Sequence, residues 1–197
     1  MNNEVLDDSD LKAGEELKIY PSLGTRFVAS MLDFLLLSVP VMLLSFSNMF
    51  YLQSIVLACI LLFVFPIYKV YMEGTYGYTL GKKMKGFKIV KEGGGAMDMK
   101  AALVRYLFGY PVLIFSFLST IYTFEALTEG GIESLIDFSE RSAAAQALTP
   151  ALLTTGTNIS SFVYFVALLF IFQGVKRQPL YDRIAKTVCV MNDTQED

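Results

Sequence analysis

The sequence predicts an all-α polytopic membrane protein: four transmembrane helices, both termini cytoplasmic, a small cytoplasmic β-hairpin between helices 2 and 3, and an outer amphipathic segment between helices 3 and 4. Three observations predict it. Four apolar runs, at about 27–46, 49–68, 106–124 and 157–173, each approach the ~20 residues that cross a hydrocarbon core at ~1.5 Å per residue. The basic residues are segregated. Of the sixteen Lys and Arg, three precede or open the first run, eight lie between the second and third, four follow the fourth, and only Arg141 falls in an outer connection. The positive-inside rule therefore places both termini and the middle loop in the cytoplasm. Finally, 54% hydrophobic and 18% charged residues with a mean hydropathy of +0.49 leave too little polar surface for a soluble globule of 197 residues.

The chain divides into an acidic tail (1–19), a membrane domain (20–191) and a polar end (192–197). The tail carries six acidic residues against two lysines and has no short apolar core, so it reads as a retained cytoplasmic segment and not a signal peptide. Pro21 and Gly24 punctuate the approach to the first run, where Ser22 or Thr25 is suited to cap the helix. Pro40 falls late in that run as a candidate kink. A short outer turn at 45–48 makes runs one and two antiparallel neighbours. With no Trp in the chain, Tyr20, Tyr51, Tyr68, Tyr71, Tyr106 and Tyr122 near run ends take the role of interfacial anchors.

Period-two alternation appears once, in the middle loop. Phe87 and Ile89 alternate with lysines and are followed by Gly93, Gly94 and Gly95, which predicts a local hairpin returning through 96–99. Its lysines would face anionic inner-leaflet lipids, each contributing on the order of 1 kcal/mol. The stretch 81–86 superficially resembles a phosphate loop, but no Ser or Thr follows a Gly-Lys pair in a strand-to-helix setting, so nucleotide binding is rejected. Between runs three and four, Glu125, Glu129, Glu133 and Asp137 recur every four residues beside Ile132, Leu135 and Ile136, predicting a short helix on the outer membrane surface. Residues 177–190 contain Asp182, Arg183 and Lys186 and cannot span. They read as an amphipathic turn and strand folding back under the bundle, with Leu180, Ile184 and Val188 on one side; Asp182 either pairs with Lys186 at i, i+4 on the surface or takes part in a buried network.

Asp33 is the residue that requires explanation. It stands about 10 Å inside the first run among leucines, where an ionised carboxylate costs on the order of 2.5–3.5 kcal/mol without a partner, a cavity or a proton. Arg26 lies two turns away on the same helical face, and Arg105 is the better direct partner. Cys59 and Cys189 form neither a disulfide framework nor a metal spacing, and His is absent, which removes the commonest general base and metal ligand. No cofactor, enzymatic activity or nucleic-acid partner is expected.

Arg26, Ala29 and Asp33 (R-x-x-A-x-x-x-D), Thr79 to Lys83 (T-L-G-K-K) and Leu180 to Thr187 (L-Y-D-R-I-A-K-T) together resemble the RDD family of small bacterial membrane proteins, named for one Arg and two Asp. The resemblance implies Arg26, Asp33 and Asp182 as the family residues, with Arg105, Lys82 and Lys83 as supporting charges, and residence in the cytoplasmic membrane. Members often carry His where this chain has Tyr181. The family's activity is thinly defined, with cation and proton exchange suggested for some members. Two readings stay open: transport of a small cation or proton through Asp33, in a homodimer or larger assembly, or a structural subunit that binds a membrane-protein partner. An intramembrane enzyme using Asp33 and Asp182 as an acid–base pair lacks any accompanying motif.

Overall fold

The computed structural model describes residues 20–129, 138–173 and 176–192. Its elements are α1 (Leu23–Ser47), α2 (Ile55–Tyr76), α3 (Leu80–Met84), β1 (Phe87–Lys91), α4 (Met99–Arg105), α5 (Gly109–Glu129), α6 (Phe138–Leu148), α7 (Ala151–Leu169), α8 (Leu180–Ile184) and β2 (Thr187–Met191). Among the described residues three helices are long and apolar enough to cross a membrane, or four if α4 and α5, bent by 71° across their break, count as one span. The expectations for the tail 1–19, for 193–197 and for Ile132, Glu133, Leu135, Ile136 and Asp137 lie outside the described residues.

The packing is that of a membrane protein. Large apolar side chains point outward along the spans, among them Met42 (70% exposed), Leu152 (78%) and Phe162 (66%). Such a surface is unfavourable in water and neutral against lipid chains. The buried core lies instead where α1 begins and α2 ends, and consists of Ala29, Phe87, Ile89, Met97, Ala101, Ala102 and Cys189.

Local chemistry sets the helix ends. Ser22 caps α1, its Oγ accepting from the Thr25 N–H at 3.1 Å. The helix continues through Pro40 to Ser47, and the turn to α2 is closed by buried Asn48, whose carboxamide donates to the Ser54 carbonyl and accepts from the Ser54 N–H. α2 thus starts six residues later than the expected run and ends eight residues beyond it, so that Lys69 and Glu73 lie inside a helix and not in a loop. Gly77 ends α2 with φ +76°, its N–H bonding the Glu73 carbonyl.

The expected local hairpin is corrected. β1 forms where alternation placed it, with Phe87 and Ile89 buried, but its antiparallel partner is β2, in the register Phe87↔Met191, Ile89↔Cys189 and Lys91↔Thr187. The 96–99 segment contributes a single bridge, Val90↔Ala96, because Asp98 caps α4 there, accepting from the Ala101 N–H at 2.8 Å. The C-terminal segment does fold back as a turn and strand. Ile184, however, is 45% exposed at the end of α8 while Val188 is buried on β2, so the expected apolar side is not continuous.

The third and fourth runs are also longer than expected. α5 extends to Glu129, which places Glu125 and Glu129 on α5 and not on a separate helix. α7 starts at Ala151 and packs closely on α5: a Cβ added at Gly156 would lie 2.5 Å from the Phe115 ring.

Candidate functional site

Two polar clusters form at the end where α1 begins and α2 finishes. The first surrounds Asp33, which is 6% exposed. Its Oδ1 accepts from the Tyr68 hydroxyl at 2.9 Å and from the Gly81 N–H at 2.7 Å, and its Oδ2 accepts from the Thr79 hydroxyl. The Tyr68 oxygen in turn accepts from the Leu80 N–H at 2.9 Å. Thr79 is the N-cap of α3, yet its side chain makes no cap bond to its own helix. A carboxylate from α1 and a phenol from α2 thus satisfy N–H groups that any helix start leaves orphaned. Gly81 permits the approach: a Cβ there would stand 2.1 Å from the Ala29 carbonyl oxygen.

This corrects the expected pairing of Asp33 with an arginine. Among the described residues its donors are two hydroxyls and a backbone amide. Arg26, 8% exposed, donates instead to three carbonyls, those of Pro21 (3.3 Å), Arg177 (2.8 Å) and Lys176 (3.2 Å), and ties the start of α1 to the segment leading into α8.

The second cluster holds the charges of four elements. Arg105, at the end of α4, reaches Glu73 Oε2 through Nε at 3.0 Å, and its Nη1 lies 2.6 Å from Asp182 Oδ1 while bonding the Thr187 hydroxyl at 2.8 Å. Lys82 of α3 pairs with the other Glu73 oxygen. Glu73 and Asp182 are each 1% exposed. Of the two expectations for Asp182, the buried network holds and the surface pair with Lys186 does not. The Oδ1 of Asp182 touches Arg105 without hydrogen-bond alignment and has no hydrogen-bond donor among the described residues. Burial pushes the Asp182 carboxyl above the usual carboxylate range, with Arg105 opposing. Lys83 stands apart from both clusters, exposed, with its ammonium 5.7 Å from the centre of the Tyr78 ring.

Residues 20–186 match the family model of the RDD family, well over half of the chain. The chain belongs to the RDD family. No curated protein and no solved structure matches it. In this RDD protein the three residues expected from the resemblance do not converge on one point: Asp33 serves α3, Arg26 the 176–177 backbone, and Asp182 the Arg105 cluster.

Several residues of these clusters escaped sequence reasoning. Glu73 and Lys69 were hidden because the apolar run was ended at its first charge; their i, i+4 spacing at a helix end was the available signal. Tyr68 was read as an interfacial anchor, whereas its hydroxyl bridges Asp33 and Leu80. Thr187 carries no sequence signal for accepting from Arg105.

Proposed function

We propose that this RDD protein is a multi-pass protein of the bacterial cytoplasmic membrane, with both termini inside, that acts as an assembly subunit presenting a rigid, charge-locked cytoplasmic face to a membrane-protein partner. One observation carries the reading: the Asp33 carboxylate is occupied by Tyr68, Thr79 and Gly81, the contacts of a helix-docking group and not of an open ion site. Burial of both carboxylates of the second cluster fits the same role, since buried ion pairs serve arrangement more than net stability. The basic residues that crowd the middle loop and the C-terminal segment support an inward orientation for this end.

The test is purification in mild detergent. A stable partner is expected to accompany the wild type and to be released by Asp33→Asn. A monodisperse homomer with no companion would remove the assembly reading.

A second reading, cation-coupled proton exchange, is favoured by a different residue from the one expected. Asp182 is buried, has an oxygen without a hydrogen-bond donor, and binds a proton more readily than an ordinary carboxyl. In reconstituted vesicles this reading requires a cation-dependent proton flux that survives Asp33→Asn and is abolished by Asp182→Asn. Absence of flux from the wild type eliminates it.

A further inference from the structure

Asn158 places a carboxamide on the outside of α7, one of the three helices long and apolar enough to cross a membrane. It is exposed and has no hydrogen-bond partner among the described residues. Its depth follows from two contacts between helices: the Phe63 and Phe117 rings join α2 to α5 with centroids 5.6 Å apart, and Gly156 of α7 lies against Phe115, two residues from Phe117. Gly156 is therefore level with about Phe65. Two residues further on, Asn158 stands about 18 Å from the start of α2, near the middle of a ~30 Å hydrocarbon core that begins where α2 does.

An amide at that depth is unfavourable until something bonds it. Thr157 returns its hydroxyl to the Leu153 carbonyl at 2.9 Å, and Thr154 does the same to Pro150, but Asn158 makes no such bond to its own helix. Along the middle of α1 and α2 the exposed side chains are apolar, as at Leu36, Val39, Ile60 and Ile67. The outer face of α7 is different. Thr154, Thr155 and Ser161 are exposed three or four residues from Asn158 and share its side of the helix, whereas Ser160 and Ala167 are buried on the opposite side, in line with Gly156 and towards α5. Small side chains around the amide let a second helix backbone approach closely enough for hydrogen bonds between helices.

We propose that this face of α7 is the contact with a second copy of the chain, in which the two Asn158 carboxamides bond each other beside a two-fold axis along the membrane normal. A carboxamide is donor and acceptor at once, so it is complementary to its own image. The face carries no charge, and like-charge repulsion does not oppose the pairing. Lipid chains offer neither donor nor acceptor, and an unrelated protein must bring a polar group to the same depth, whereas a second copy brings one by symmetry. The dimer goes beyond the assembly role and stands without it, because that role uses the charged end where α1 begins and this contact lies between helices at mid-depth.

Counting photobleaching steps of the singly labelled full chain in liposomes, at falling protein density, tests the contact. Dimers that dissociate on dilution are expected, and Asn158→Leu should raise the density at half-dissociation about tenfold, the weight of a reciprocal pair of hydrogen bonds between helices. Ser45→Leu, a polar-to-apolar change on the exposed face of α1, should leave it unmoved. In native membranes oxidation should link Thr155→Cys chains and not Met42→Cys chains, both in a Cys59→Ala background. Monomers at every density, undiminished dimerisation of Asn158→Leu, equal loss in Ser45→Leu, or equal cross-linking of Met42→Cys overturns the contact; so does a companion protein that takes the place of the second copy. The wild-type state and the cross-links decide the matter even if Asn158→Leu fails to fold.

Discussion

Adding one methyl group at Gly81 should disconnect α3 from α1. The new Cβ would lie 2.1 Å from the Ala29 carbonyl oxygen and 2.9 Å from Asp33 Cγ, and the first obstacle is backbone that cannot rotate away. A carbon settles at about 3.3 Å from a carbonyl oxygen, so α3 must retreat by roughly 1.2 Å. That retreat stretches the 2.7 Å bond from the Gly81 N–H to Asp33 beyond hydrogen-bonding range. Losing a charge-assisted bond costs about 1.5–3 kcal/mol, and the overpacking adds about 1–3 kcal/mol. The higher helix propensity of Ala returns up to about 1 kcal/mol, leaving a net loss of roughly 3 kcal/mol and a melting shift on the order of 10 °C. Thermal unfolding in detergent reads the effect. Gly95→Ala is the control, because its Cβ would meet nothing nearer than Lys91 Cδ at 3.9 Å. Since Gly81 and Asp33 act through one contact, Gly81→Ala/Asp33→Ala should cost about 1 kcal/mol less than the sum of the single variants. A Gly81→Ala protein melting within about 2 °C of wild type refutes the docking argument.

Four further outcomes follow from the same geometry. Arg105→Gln leaves Glu73 and Asp182 without their shared cation and should cost about 3–5 kcal/mol; Arg105→Lys keeps the charge but loses the fork and should fall between it and wild type, and equal melting of the two variants would contradict a bridging role. Because burial raises the Asp182 carboxyl, its contribution to stability is fully present below its unfolded value near 3.8 and is lost as pH rises through the higher folded value; melting curves from pH 3 to 7 should therefore fall less with pH in Asp182→Asn than in wild type. Asp98 has the opposite sign, held low by Lys91 and the Ala101 N–H, so its contribution is present above the ordinary value and is lost as pH falls through the lowered one. Gly156→Ala drives a Cβ to 2.5 Å from the Phe115 ring and should destabilise α5–α7 packing by about 1–3 kcal/mol, with partial rescue by Phe115→Ala in denaturant-induced unfolding.

What sequence could reveal divides along a physical line. Hydropathy is a sum over neighbours in the chain, so the apolar runs and the anomaly of Asp33 were legible in it. Pairing between distant segments is not such a sum. β1 was visible from alternation, but the glycines at 93–95 pointed to a local return, while its partner β2 lies about a hundred residues away in sequence. Lys69 and Glu73 truncated the second run because a hydropathy window sees their charge and not Lys82 and Arg105, which receive Glu73 in three dimensions. For Asp33, an acid suggested a base. Helix-start N–H groups are equally good partners for a carboxylate, yet every residue but proline carries one, and sequence therefore does not mark them.

Arg26, Asp33 and Asp182 share a task that their separation conceals. α3 and α8 are five residues each, far below the ~12–15 at which an isolated helix becomes even marginal. Each is held by a buried charge from elsewhere. Asp33 supplies the acceptor that the first turn of α3 lacks, Arg26 grips the carbonyls of 176 and 177 just ahead of α8, and Asp182 carries α8 onto Arg105, which reaches back to α2 through Glu73. Depth of charge in the first span therefore has a cause other than conduction. A carboxylate two turns above Arg26 stands at the height where α3 must dock, while the arginine stands at the height where the C-terminal segment passes. Moving either charge by one turn would move the piece that it holds, which fixes their spacing through architecture whether or not an ion ever crosses the bundle.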